Sequence, residues 1–350
     1  MPQEQSPEHV LVTGGSGFIA GHVILQLLDQ GHTVRTTIRS LEKESAVRTV
    51  LERAGMTRGA ALTFVAADLL HDDGWGDAAA GVSVVVHVAS PVMPGAVADE
   101  QSVIGPALDG TLRVLRAARD AGVRRVVLTS AFHAVGFGHG RPDRVFTEAD
   151  WSPLDGPGVD AYGRSKILAE RAAWDFVAAE GGSMELITLT PVAVVGPVMG
   201  NGVSGANHIV QNILTGTMRA YPDLAIPVVD VRDVAAAHVA AVTVPEARGQ
   251  RFIVGTGEPA VRLARIGAVL RAHLGGAASR VSTRRVPSVL IRIRALWDPA
   301  AKGVAADLGY VKRVSNERLR TVLGVEPRPA EEAIVAAGES MVAAGLVGPR

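Results

Sequence analysis

The sequence predicts an α/β protein: a doubly wound, mostly parallel sheet followed by a smaller, mostly helical lobe. Three observations predict it. Apolar strand-like runs alternate with helical runs through the first half of the chain. The run VSVVVHVA at 82–89 is apolar without alternation, as a parallel strand covered on both faces must be. A glycine cluster, TGGSGFIAG at 13–21, separates the first strand from the first helix.

The elements follow in order. Residues 10–13 form a short apolar strand. Residues 18–30 place Ile19, Val23, Leu27 and Leu28 at helical spacing, and Gly31 ends the run. Residues 33–39 read as a second strand and 42–54 as a second helix. Strands three and four fall at 62–67 and 82–88. Residues 99–121 are helical, with a kink or restart at Pro106. Strand five covers 123–129, a helix 162–179 and strand six 184–189. Right-handed crossovers join the parallel strands. After Pro191 the loops lengthen and helices dominate, at about 203–214, 231–242, 261–273, 316–323 and 330–344. One further strand is expected at 251–254. Residues 280–294 mix basic and apolar types and are left unassigned. The expected division is a first domain at 1–190 and a second lobe at 191–350, with some chain crossing back to the sheet.

Composition removes several functions. The 350 residues contain 35 Lys plus Arg and 35 Asp plus Glu, a formal net charge of zero. Such a chain lacks the basic field that nucleic acids or acidic membranes attract. Without cysteine there are no disulfides, thiolate metal sites or cysteine nucleophiles. The ten histidines are dispersed and show no HExxH spacing, so no metal is expected. The opening MPQEQSPEHV lacks a basic segment followed by an apolar one. Residues 187–218 carry no charge but are broken by Pro191, Gly196, Pro197, Gly200, Gly202 and Gly205, so they read as a strand and loops rather than a membrane span. The expectation is a cytoplasmic monomer or homodimer that acts on a small molecule, without nucleic-acid or membrane partners.

The glycine cluster carries the first chemistry. Gly14 turns the chain after the strand, and Gly15 and Gly17 let backbone approach a pyrophosphate. The helix that opens at Gly17, Phe18 and Ile19 presents free N–H groups and its dipole to phosphate oxygens. The end of strand two distinguishes the two nicotinamide coenzymes. An NAD site places a carboxylate there for the ribose 2′-hydroxyl. This chain has Arg39 at that position and Lys43 four residues on, two cations suited to the 2′-phosphate of NADPH. Asp68 and Leu69 end strand three, where they can pair the adenine edge. Val88, Ala89 and Ser90 end strand four and pass beneath the coenzyme, and Thr129 ends strand five.

The segment YGRSK at 162–166 places a phenol and an ammonium on one helix face. A neighbouring ammonium favours the phenolate and lowers the tyrosine pKa from about 10, so Tyr162 and Lys166 form a proton-transfer pair.

With these residues the chain resembles the extended short-chain dehydrogenase/reductases, and within them the dihydroflavonol 4-reductase-like carbonyl and aldehyde reductases. The resemblance runs through TGGSGFIAG at 13–21, TVRTTIRS at 33–40, ADL at 67–69, HVASP at 87–91, RRVVLTS at 124–130, YGRSK at 162–166, PVAVVGP at 191–197 and VDVRDVAAAHVAA at 229–241. It implies a Rossmann domain that binds NADPH, a C-terminal substrate lobe and carbonyl reduction, with Pro191, Val192 and Val194 facing the nicotinamide. One position departs from the family. Where the family has a second serine after strand five, to hydrogen-bond the substrate carbonyl, this chain reads Thr129-Ser130-Ala131-Phe132-His133. Three explanations compete: a chain altered at Ala131, a shift of Ser130 into the role, or a donor supplied by His133. Val92, Met93, Ala131, Phe132, His133, Met199 and Tyr221 are the expected substrate walls. Two other readings remain open: a nucleotide-sugar epimerase or dehydratase clamping a diphosphate with Arg219, Arg232 and Arg285, and a non-catalytic NADP-binding sensor.

Overall fold

A computed structural model describes residues 7–91 and 99–348. Its centre is a seven-stranded parallel sheet formed by β1 (His9–Val12), β2 (Thr33–Ile38), β3 (Leu62–Ala66), β4 (Val84–His87), β5 (Arg125–Thr129), β6 (Glu185–Pro191) and β7 (Arg251–Val254). The spatial order is β7-β6-β5-β4-β1-β2-β3, so the order reverses between β1 and β4. Ligands of open parallel sheets bind in the crevice at such a reversal, beyond the carboxyl ends of the strands.

The helices cover both faces. The strands are largely apolar because alternate residues enter two different cores; Thr36, Thr37, His87 and Arg125 are buried polar exceptions. Val10, Val12, Val84, Val86 and Val127 pack in the core that contains α1 (Phe18–Asp29) and α2 (Glu44–Arg53), together with α7 (Val231–Thr243). Leu11, Val85, Val126, Leu128 and Leu186 point the other way, toward α3 (Trp75–Ala79), α4 (Gln101–Asp120) and α5 (Ala161–Glu180). Thus β7 and α7, from the second half of the chain, complete the sheet layers. A separate apolar core joins α6 (Asn207–Leu214), α8 (Leu263–Leu274) and α12 (Ala330–Ala343). Among the described residues no helix is long and apolar enough to cross a membrane.

Two stretches left open by the sequence are resolved in the fold. The helix α4 passes through Pro106 without a break. Gly105 precedes the proline and has no Cβ for the ring to strike, which removes part of the usual barrier to a helical residue at that point. The unassigned stretch 280–294 contains a bridge between Arg285 and Tyr221 and the short helix α9 (Ser288–Arg294), followed by α10 (Pro299–Asp307). Helix α9 turns Val289, Leu290 and Ile293 outward, so its apolar side chains do not mark a core face.

Candidate active site

The turn between β1 and α1 has the form an anion needs. Gly14 adopts φ of +75°, a conformation that L side chains avoid. A side chain at Gly15 would lie 2.3 Å from Thr36 Oγ1, so only glycine lets this loop sit against β2. Helix α1 starts at Gly17 with no side-chain cap and no acidic residue in its first turn. Its first N–H groups, around Phe18 and Ile19, are therefore open to a ligand.

Beside the turn, Arg39 and Lys43 are both exposed. Neither forms an ion pair among the described residues, because the nearby Glu44 pairs with Arg48 at 2.9 Å instead. Asp68 accepts from the backbone N–H of its own turn at Leu70, 3.1 Å away. Leu69 packs against Gly110 of α4. These groups fit an adenosine phosphate: uncommitted cations where a ribose phosphate would lie, an uncapped helix for the pyrophosphate, and no carboxylate at the end of β2.

Helix α5 carries the pair expected from the sequence. Asp160 caps it by accepting from the Gly163 N–H at 2.7 Å. Tyr162 lies in the first turn and stays 37% exposed, so the phenol is reachable. Lys166 follows one turn later and is buried, with its Nζ 6.0 Å from the tyrosine ring centroid. Burial pushes the ammonium down to about 8, against the Glu170 charge that favours it. The expected lowering of the phenol pKa is not found. Desolvation and the Asp160 carboxylate hold Tyr162 above its ordinary value, so at neutral pH it is a protonated acid.

His133 completes the cluster. It lies in the short turn Phe132–Ala134 after β5. Its ring stacks on Phe137 at 4.2 Å and meets Tyr162 edge-on at 5.0 Å. Desolvation lowers its pKa to about 4, with Lys166 and Lys312 adding to the effect and Asp160 opposing it. The imidazole is therefore neutral at pH 7 and keeps one N–H. It makes no hydrogen bond among the described residues. Phe137 and Lys312, whose Nζ lies 4.7 Å from the Phe137 ring centroid, also belong to this wall; no motif marked them in the sequence.

Ser130 is committed elsewhere. Its hydroxyl donates to Glu170 Oε2 at 2.7 Å. Glu170 is buried and also accepts from Thr188 at 2.8 Å and from Arg251 at 2.7 and 3.0 Å. Such a pair persists only when its hydrogen bonds are complete, so the hydroxyl is held inside the fold. Thr129 likewise bonds His238 at 2.7 Å, which leaves its backbone rather than its hydroxyl for a coenzyme. Ala131, buried and extended, has no polar side chain to offer.

Several expected walls are core residues. Phe132 is 2% exposed and packs edge-on against Phe137 and Phe146. Tyr221 is also 2% exposed and lies against Gly267 of α8 in the separate core of α6, α8 and α12. Met199 packs its sulfur over Gly21 of α1. Large apolar residues fill cores as readily as pockets; here the core takes Phe132 and Tyr221, while Met199 is partly buried at its edge. Val92 and Met93 lie outside the described residues. Pro191 ends β6, Val192 is buried in the main core, and Val194 belongs to a short strand paired with Val228–Asp230. Val88, Ala89 and Ser90 follow β4 beside the glycine turn, where a side chain at Gly14 would come within 3.0 Å of Ala89 Cβ.

The profile of the NAD dependent epimerase/dehydratase family matches residues 10–255. The chain belongs to this family. Family members are enzymes that use a nicotinamide dinucleotide. Among curated relatives, cinnamoyl-CoA reductase 1 of Oryza sativa is 36% identical over 250 residues, 71% of each chain. Ketoreductase azaE of Aspergillus niger is 34% identical over 300 residues, 80% of this chain and 87% of the relative. Among solved structures, Gre2 of Candida albicans in complex with NADPH superposes with a TM-score of 0.76 and 26% identity, covering 97% of this chain and 99% of that one. This family member thus shares its fold with Rossmann-type reductases.

Buried histidines also set an acid limit on the fold. His87 and His238 are 1% and 0% exposed, and desolvation lowers them to about 3 and about 4 from 6.5. Between those limits the unfolded chain binds protons that the folded chain refuses, so stability falls as pH drops below about 6.5. His133, lowered to about 4, adds to the same fall. Urea titrations at pH 5, 6 and 7 test this; equal stability at all three values would contradict it.

Proposed function

We propose that the protein is an NADPH-dependent reductase that transfers a hydride to the carbonyl of a small, largely apolar or aromatic ketone or aldehyde. The observation that carries this reading is the unpartnered, neutral His133 imidazole beside the protonated Tyr162, with Lys166 one turn along the same helix. A bound NADPH supplies the hydride. Gly14, Gly17 and the start of α1 hold the pyrophosphate, and Arg39 and Lys43 hold the 2′-phosphate. Tyr162 donates its proton to the carbonyl oxygen as negative charge develops there. His133 donates its N–H to the same oxygen, in place of the serine hydroxyl that Ala131 lacks. Lys166 steadies the phenol through its charge and orients the nicotinamide ribose.

The diphosphate-sugar reading loses one of its clamps, because Arg232 is already paired with Asp230 at 2.7 Å. The sensor reading has no observation in its favour beyond Ala131. Absorbance at 340 nm with aryl ketones and aldehydes tests the proposal. NADPH is expected to be consumed in preference to NADH. The double substitution Arg39→Ala/Lys43→Ala is expected to raise KM for NADPH by roughly 10- to 100-fold while leaving that for NADH nearly unchanged. No turnover with any carbonyl, or an equal effect on both coenzymes, would count against it.

A further inference from the structure

Behind the reactive pair lies a cavity of about 10 Å³, the space of about one water molecule. His87, Ser90, Thr111, Ser130, Lys166 and Glu170 are among the residues that line it. Hydrogen-bond accounting fixes what several of them present.

Thr13, fully buried, accepts from the N–H groups of Val88 and Ala89 at 3.1 and 3.0 Å. Both lone pairs of its hydroxyl oxygen are then used, so its hydrogen must go to His87 Nδ1, 2.8 Å away. The His87 proton therefore sits on Nε2. That N–H has no partner among the described residues. Lys166 Nζ has none either, although the residue is only 8% exposed. Its nearest carboxylate, Glu170, is already occupied by Ser130, Thr188 and Arg251. Thr111 directs its own hydrogen to the Ala107 carbonyl at 2.8 Å and so keeps lone pairs free. The cavity thus gathers two unpartnered donors on buried residues, the oxygens of Thr111 and Ser130 as acceptors and the Ser90 hydroxyl, so a group placed there can accept twice and donate.

We infer that His87, locked in one tautomer by Thr13, positions a single water that accepts from the Lys166 ammonium and donates to Thr111. His87 is a positioning residue acting through Lys166. Its low pKa agrees with the assignment, because a neutral imidazole adds no charge beside the ammonium. The water completes a hydrogen bond that a buried ammonium would otherwise leave unmade, and so fixes where the lysine presents its charge to Tyr162. This inference rests on the proposed reductase reading for its kinetic consequence, but its structural part does not.

The test has two arms. A high-resolution crystal structure of the unsubstituted protein is expected to show one ordered water within hydrogen-bond distance of His87 Nε2 and Lys166 Nζ. An empty or dry cavity overturns the inference whatever the protein reduces. In the kinetic arm, His87→Leu is expected to lower kcat by on the order of tenfold with KM for the carbonyl nearly unchanged. His87→Gln, which keeps a neutral donor, is expected to recover most of the rate. Equal losses in the two variants would assign His87 to packing alone and overturn the positioning role. If His87→Leu fails to fold, the crystallographic arm still decides.

Discussion

Replacing Tyr162 with phenylalanine is expected to abolish carbonyl reduction while leaving coenzyme binding intact. The substitution removes only the hydroxyl, and the ring keeps its edge-on contact with His133 and its distance from Lys166. The proton must then come from water that has no fixed place beside the carbonyl. General acid catalysis by a positioned side chain contributes about 10²–10⁴-fold, and a fall in kcat of that order is expected. Fluorescence titration with NADPH provides the control, since the proposal assigns the phosphate and ribose contacts to other residues. A variant that retains even a third of the parent rate would remove Tyr162 from the chemistry.

The second large effect belongs to His133. Substitution by leucine keeps volume against Phe137 but removes the N–H, and loss of one oxyanion donor typically costs about 10²–10³ in turnover. Restoring a serine by Ala131→Ser is expected to recover activity in the His133→Leu background, because the hydroxyl offers the same oxygen a second donor. In the parent, where the proposal has His133 donating, the same serine is expected to change kcat only a few-fold. A large gain from Ala131→Ser in the parent would mean that His133 does not fill the role. Rescue confined to the double variant would establish it.

The pattern of legible and illegible features follows from the range of the interactions. The turn at Gly14–Gly17 could be read because its chemistry lies in consecutive residues: a positive φ, a close approach to β2 and an uncapped helix start. Strands β4 and β5 could be read because a parallel strand covered on both faces must be apolar throughout. The same physics hid part of the site. His87 interrupts an apolar strand, and a buried polar residue demands a partner; that signal was in the sequence, but Thr13 lies 74 residues away and only folding brings it near. Ser130 looked available because Glu170, 40 residues on, does not announce the buried network that holds it. The burial of Phe132 and Tyr221 is a tertiary outcome that residue type does not specify.

The second lobe was harder for a related reason. Helix α9 exposes Val289, Leu290 and Ile293, and Leu296 and Trp297 beyond its end are 80% and 70% exposed. A periodic apolar face ordinarily marks burial, so a helix that turns it outward cannot be placed by period alone. Helix α4 gives the opposite case: Pro106 suggested a kink or a restart, and the helix runs from Gln101 to Asp120 without restarting.

The central claim is that a reduced coenzyme crosses the carboxyl edge of the sheet with its reactive ring beside Tyr162. A crystal structure of the protein soaked with NADPH tests this most directly. The account predicts the pyrophosphate at the start of α1, the 2′-phosphate against Arg39 and Lys43, and the nicotinamide next to the Tyr162 hydroxyl. A crevice that stays empty at saturating coenzyme, or a nicotinamide bound away from that hydroxyl, would contradict it.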